Sequence, residues 1–264
     1  MTRRRAAAVP LDRRYFTEVD DDPVPIVCKA TDYPAGHVIE PHKHLRGQLV
    51  YAEHGVVMLV AAGGSWIVPS TRAVWIPAGT LHNLRCIGAV RMRSLYLRPD
   101  VTPHLPPRAQ AVAVSPLLRE LILAAVAVVP PYAADSRDGR VMQLLLDELQ
   151  ALPVLPLHLP QPADARLRRI CGRLAERLDD TSTLADWAAE LAIDAKTIQR
   201  LFARDTGMTF GQWRQQARLL HALERLALGD KVVDVALALG YDSPSAFATM
   251  FKRQFGETPS AFFR

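Results

Sequence analysis

Cysteine is scarce, long apolar runs are missing and neither sign of charge prevails, and each absence argues against a class of protein. The three cysteines, Cys28, Cys86 and Cys171, are odd in number and widely spaced over 264 residues. That pattern opposes a disulfide framework and fits a reducing, cytoplasmic compartment. The most apolar stretch, Leu121 to Val129, is far shorter than the ~20 residues a membrane-spanning helix needs. Thr2 to Arg5 makes a basic start, but no continuous apolar segment follows it, so a secretory signal is not expected. The formal net charge is only +5, and beyond Gln161 15 Lys and Arg stand against 13 Asp and Glu, a surplus of 2. A general basic coat is therefore lacking, and any phosphate-binding charge must be gathered on one face. The weak surplus, with no obvious wedge residues in a flexible arm, also disfavours a nonspecific architectural DNA binder.

The chain does carry enough length for two domains, and its 49% hydrophobic and 22% charged residues are those of an ordinary globular protein. Its most informative feature is a repetition. Asp186-Trp-Ala-Ala-Glu-Leu-Ala-Ile-Asp194 returns as Asp234-Val-Ala-Leu-Ala-Leu-Gly-Tyr-Asp242, and Phe202-Ala-Arg-Asp-Thr-Gly207 returns as Phe251-Lys-Arg-Gln-Phe-Gly256. The offset is 48 residues at first and 49 after one extra position near Pro244, which marks a structural duplication. Each copy reads as helix, tight turn, helix. Two such units can present two helices to successive major-groove segments about 34 Å apart on one DNA face.

From about Ile26 to Leu97 short β-type runs are broken by turn residues: Gln48 to Ala52, Val56 to Ala61, Trp66 to Val68, Ala73 to Ile76 and Val90 to Leu97. Ser115-Pro116 then opens a helix with an apolar stripe of Leu117, Leu118, Leu121, Ile122 and Ala125. A second helix is expected over Arg140 to Ala151, with Leu144, Leu145 and Leu149 inward. This pair either closes the open end of the β-domain or forms a dimer interface. Leu152 to Pro162 holds four prolines and reads as an extended spacer.

Beyond the spacer the pattern is helical throughout. Leu167, Ile170, Cys171, Leu174 and Leu178 share one face, Thr183 and Asp186 form a capping box, and helices follow over Leu184 to Leu191 and Ala195 to Ala203. A long helix from Phe210 to Leu228 carries Trp213, Ala217, Leu220 and Ala227 inward, Asp230 caps a helix over Val232 to Leu239, and Ser243 with Pro244 opens the last long one. In the first repeat Ile198, Leu201 and Phe202 pack inward, leaving Lys196, Thr197, Gln199 and Arg200 outward. Gln can pair with two edge atoms of adenine and Arg with two of guanine, each discriminating by about 1–3 kcal/mol. The second repeat turns Ser243, Ser245, Ala248 and Thr249 outward, short groups suited to phosphate positioning with help from Lys252 and Arg253.

These residues resemble the AraC/XylS transcriptional regulators. Leu184-Ala-Asp-Trp-Ala188, Gln199-Arg-Leu-Phe202, Gly207-Met-Thr-Phe210, Ala236-Leu-Ala-Leu-Gly-Tyr241, Ser245-Ala-Phe247, Phe251-Lys-Arg253 and Gly256-Glu-Thr-Pro259 carry the likeness, over about Leu167 to Arg264. The resemblance implies a seven-helix DNA-binding domain touching two adjacent major-groove segments. Asp194 stands where the family often has Ser, and Thr249 where many members carry Arg, which weakens base reading by the second helix.

Gly36, five residues, His42-Lys-His44, three residues, Gln48, six residues, Gly55 is a spacing similar to the first motif of the cupin superfamily, and Pro77-Ala-Gly79, two residues, His82 echoes the second. The resemblance implies a small double-stranded β-barrel over about residues 26 to 97, with His42, His44 and His82 as metal ligands and Gln48 in place of the usual Glu. Positions 42, 44 and 48 also share parity, which on a strand puts them on one face. Three imidazoles could hold Zn, Ni, Fe or Cu, or else hydrogen-bond an organic effector. Cys86 reads as a buried structural thiol.

The expected fold class is α+β in two domains: a cupin-like effector-sensing barrel at 1–110, a helical connector and Pro-rich linker at 111–163 that dimerises, and an all-α double helix-turn-helix domain at 164–264. The expected function is a sequence-specific regulator, not an enzyme. Its partners would be a double-stranded DNA operator, a small-molecule or metal effector, a second copy of the chain and, as a candidate, RNA polymerase. Gly47 to Tyr51 and Ala73 to Pro77 resemble a subset of the family that tends to control an adjacent transporter gene, which implies an exported toxic compound as effector. The alternative is a metal-dependent cupin oxygenase or isomerase with a DNA-binding tail. Gln48 and the lack of a paired acid and base or an activated nucleophile argue against it.

Overall fold

The computed structural model describes residues 19–262 apart from 71 and 156. The basic start at Thr2 to Arg5 lies outside the described residues. Contacts divide the chain into two units, one running to Ala62 and including Trp66–Leu157, the other made of Gly63–Ser65 and His158–Arg264.

The first unit is an antiparallel sheet covered by two helices. Its strands are β1 (Ile26–Tyr33), β2 (Val38–His42), β3 (Gly47–Ala61), β4 (Gly64–Pro69), β5 (Arg72–Ile76), β6 (His82–Leu97) and β7 (Gln110–Ala113). β6 is central: β1 and the start of β3 flank its second half, while β2 and the end of β3 flank its first. β5 pairs with β3 and β7 with β5. Gln48 to Ala52 and Val56 to Ala61 are not separate strands but one, because Gly55, at φ 83°, sits in a bulge where the β3–β6 register shifts. A Cβ there would meet the Ala89 carbonyl oxygen at 2.3 Å, so only glycine fits the bulge.

Helices α1 (Pro116–Ala125) and α2 (Arg137–Glu148) lay Leu118, Leu121, Ile122, Ala125, Met142 and Leu145 into the same apolar cluster as Leu49, Tyr51, Trp75 and Leu95 of the sheet. Ser115 accepts from the Leu118 amide and Pro116 follows at the first turn, as the sequence predicts. Each fully buried Leu or Ile contributes about 1.5–3 kcal/mol relative to exposure. Leu117 and Leu144, expected inward, are instead 48% and 43% exposed. The α2 stripe is made by Met142, Leu145 and, just beyond the helix, Leu149. The Pro-rich segment is extended but not free: Ala113 donates to Pro153 and Leu155 to Ala111, which ties it to β7.

The main part of the second unit begins with the short strand β8 (His158–Pro160), whose Pro160 carbonyl accepts from Trp213 Nε1 at 2.8 Å. Its helices are α3 (Ala165–Glu176), α4 (Leu184–Leu191), α5 (Ala195–Thr206), α6 (Phe210–Ala227), α7 (Val232–Ala238), α8 (Pro244–Phe255) and α9 (Pro259–Phe262). The Thr183–Asp186 capping box opens α4, and Thr209 with Gln212 forms another at α6. Asp230 does not cap α7: Lys231 holds the N-cap position, and the Asp230 carboxylate accepts from Arg225 Nε at 2.6 Å. Leu178 falls beyond the end of α3 and is only half-buried. On α6, Leu223 and Leu226 are buried while Ala227 is half-buried.

The duplication is visible in the structure. α5 and α8 are both 12 residues long, are capped by Asp194 and Ser243, and end on left-handed Gly207 and Gly256. Ile198 and Phe202 are buried in α5, and Phe247 and Phe251 hold the matching places in α8.

Candidate nucleic-acid interface and histidine cluster

In each helix-turn-helix the inward residues fix which side chains are left for solvent. On α5, burial of Ile198, Leu201 and Phe202 leaves Lys196, Gln199 and Arg200 exposed, with Thr197 half-buried. Asp194 Oδ1 accepts from the Lys196 amide at 3.1 Å, so the acidic cap satisfies the backbone at the end where these exposed residues lie. On α8, Ser245, Thr249, Lys252 and Arg253 are exposed, whereas Ala248 is half-buried. Ser243 is half-buried and its hydroxyl accepts from the Ala246 amide at 3.1 Å, which engages it as a cap. Ser245, Thr249 and Arg253 share one shallow depression with Ala246 and Met250.

Sequence reasoning missed the arginines behind this surface. Arg218 on α6 donates from Nε to the Leu178 carbonyl at 2.7 Å and from Nη2 to the Asp180 carbonyl at 3.0 Å. The same Nη2 lies 3.8 Å from the place a Cβ on Gly240 would occupy, in the turn between α7 and α8. One guanidinium thus holds the approach to the first helix-turn-helix and lies near the turn of the second. Arg214, one turn earlier, donates to the Ser182 carbonyl at 3.0 Å. The i, i+4 spacing of these arginines was the available signal.

In the first unit His42 ends β2, His44 lies in the following loop, Gln48 is in β3 and His82 opens β6 opposite His42. The shared-strand argument from parity therefore fails, since the loop rather than one strand brings His42, His44 and Gln48 together. One ring nitrogen from each of His42, His44 and His82 lies within 4.8 Å of the others. His44 and His82 are 2% exposed and His42 is half-buried. Burial lowers the pKa of His42 and pushes that of His82 down to about 3, favouring uncharged rings.

Each Nδ1 faces a main-chain carbonyl: His42 that of Glu40 at 2.7 Å, His44 that of Arg46 at 2.5 Å and His82 that of Thr80 at 2.8 Å. A carbonyl only accepts, so each Nδ1 carries the proton and the lone pair of a neutral ring is on Nε2. Such backbone anchoring is what orients a metal-binding imidazole. His82 Nε2 is buried without a hydrogen-bond partner among the described residues. His44 Nε2 lies 3.1 Å from Gln48 Oε1, while Gln48 Nε2 donates to Ser94 Oγ and Tyr96 Oη, both at 3.1 Å. With its amide turned over, Gln48 would donate to His44 Nε2 and accept from both hydroxyls, so this contact by itself requires no ion. The orphaned nitrogen and the fixed tautomers fit a cation held by His42, His44 and His82 with Gln48 beside it. Cys86 is buried, its thiol raised to about 11 by desolvation, and it is not in the cluster.

The chain matches the family described as AraC-like ligand binding domain over residues 24–196 and that described as Helix-turn-helix domain over residues 187–264. It is 36% identical over 221 residues to the HTH-type transcriptional regulator NimR of Escherichia coli strain K12, covering 84% of this chain and 81% of that protein. It is 33% identical over 128 residues to the regulator RipA of Corynebacterium diphtheriae, covering 48% and 36%. With the regulator ExsA of Pseudomonas aeruginosa it shares 24% identity over 219 residues, covering 81% and 76%. All three are named as transcriptional regulators, and none supports the cupin-enzyme alternative. Since the ligand-binding match spans more than half the chain and the likeness to NimR most of it, the chain belongs to the AraC family of transcriptional regulators with an N-terminal ligand-binding domain.

Proposed function

We propose that the chain is a cytoplasmic, one-component regulator in which α5 (Ala195–Thr206) reads bases, α8 (Pro244–Phe255) positions the protein on phosphates, and the histidine cluster holds the effector. The observation that carries the DNA reading is the exposure of Lys196, Gln199 and Arg200 on a helix whose opposite face is buried. Gln199 and Arg200 have the donor geometry for adenine and guanine edges. Ser245 and Thr249 reach less far and, with Lys252 and Arg253, suit phosphate contact. A gel-shift series on operator variants tests this division. Arg200→Ala is expected to relax preference at one base pair, by about 1–3 kcal/mol, while Lys252→Ala weakens binding to all sequences alike and lowers the salt slope by about 1. Equal loss on every variant for Arg200→Ala removes it as a reader.

The domains we assign are the sensor at 1–110, the connector at 111–163 and the DNA-binding domain at 164–264. Leu117 and Leu144, exposed on α1 and α2, support dimerisation through the connector. In the sensor, His42, His44 and His82 would hold a divalent metal such as Zn, Ni, Fe or Cu. When bound, that metal supplies a Lewis-acidic centre with positions open to an effector. The carbonyls of Glu40, Arg46 and Thr80 orient the rings, and the Ser94 and Tyr96 hydroxyls orient Gln48. An effector that prefers one sensor conformation would shift how two subunits present their DNA domains. The segments Gly47 to Tyr51 and Ala73 to Pro77 favour an exported toxic compound as that effector and an adjacent transporter gene as target, with RNA polymerase as the further partner.

A further inference from the structure

Two of the three clustered histidines are placed by strands and the third is not. His42 closes β2 and His82 opens β6, and the two stand opposite one another in the β2–β6 pairing. His44 lies in the loop 43–46 between β2 and β3, yet it is 2% exposed. That loop is tied down by three sets of contacts. The His44 carbonyl accepts from the Gly79 amide at 2.9 Å, and the Asp20 carboxylate accepts from the Leu45 amide, at 2.9 Å through Oδ1 and 3.0 Å through Oδ2. Arg46, itself 2% exposed, donates from Nη1 to the carbonyls of Val24 at 2.9 Å and Pro25 at 3.3 Å, and from Nη2 to that of Asp22. Its main-chain carbonyl is the acceptor that sets the His44 ring, through Nδ1 at 2.5 Å. The same residue thus fixes the ring with its backbone and fastens that backbone to segment 20–25 with its side chain. Ordering a loop at the moment of binding costs chain entropy, so a histidine held in advance binds more tightly than the same histidine on a free loop.

We infer that Arg46 and Asp20 are positioning residues of the histidine site: they act through the loop, by holding a ring nitrogen of His44 within 4.8 Å of those of His42 and His82. The inference rests on the metal reading above and adds two residues outside the ligand set. Full-length protein purified without a histidine tag and titrated with Co2+ alone provides the test, because the cobalt absorption bands report the ligand set. Arg46→Met keeps the apolar stem and removes the guanidinium. It is expected to lower Co2+ affinity about 10-fold or more and to move the bands toward those of His44→Ala. Asp20→Ala cuts a single tie and is expected to act in the same direction by a smaller factor. A general loss of stability would weaken Co2+ binding whichever histidines remained, so two backgrounds separate the roles. In His42→Ala protein the Arg46→Met change is expected to cost its full factor again, and in His44→Ala protein about 2-fold or less. Equal losses in both backgrounds, or unchanged affinity in folded Arg46→Met, overturn the inference and leave the metal reading standing. Failure of the folded wild type to take up Co2+ overturns both. Should Arg46→Met not fold, Asp20→Ala in the same two backgrounds decides by the same outcomes.

Discussion

Gly47 lies directly under the Trp75 indole, where an added Cβ would come within 2.1 Å of the ring. Trp75 cannot retreat easily, since its Nε1 donates to the Pro106 carbonyl at 2.9 Å and the ring belongs to the sheet–helix core. Gly47→Ala is therefore expected to destabilise the first unit by about 1–3 kcal/mol, read as a lower denaturation midpoint at unchanged slope. Ala192 presents the opposite case. It ends α4 in the left-handed region at φ 52°, where its counterpart in the second repeat is Gly240 at φ 74°. Left-handed geometry costs a residue with a Cβ about 1–2 kcal/mol, so Ala192→Gly is expected to be neutral or to stabilise by up to about 1 kcal/mol despite the added chain entropy. A clear loss of stability would show that the Ala192 side chain does more than cap the helix.

Arg218 acts between elements. Its guanidinium holds two carbonyls of the segment leading into α4 and lies near the turn between α7 and α8, so it is placed to link the two helix-turn-helix units through α6. Arg218→Ala is expected to lower affinity for DNA bearing both groove segments by about 10-fold while changing affinity for a single segment little. Equal loss on both would make Arg218 a general stabiliser instead. The spacing of Arg214 and Arg218 was visible in the sequence, but their partners could not be read from it, because carbonyl acceptors have no residue type. The helices themselves were legible wherever a cap and a periodic stripe agreed, as at Ser115, Thr183 and Ser243. Periodicity misled at Leu117 and Leu144, since each adjoins another leucine and the pattern cannot tell which of the two faces the core. The histidine set was legible from its spacing. Ser94 and Tyr96 were not, because they reach Gln48 across 46 and 48 residues of chain through the β3–β6 pairing.

At the scale of the whole molecule, the family membership makes the chain a transcriptional regulator with a ligand-binding domain, and the duplicated helix-turn-helix determines how it would meet its operator. If α5 and α8, held in one compact unit, both meet DNA as proposed, they require two major-groove segments on the same face of the duplex, one helical turn of about 10–10.5 bp apart. The direct measurement is the affinity of the purified full chain for its selected operator and for the same operator with 5 bp inserted between the two segments. The second segment then turns to the far side of the helix, and affinity is expected to fall to that of a single segment, with a full-turn insertion also failing because the helices cannot separate. Undiminished binding to the half-turn insertion would contradict tandem engagement of the duplex by α5 and α8.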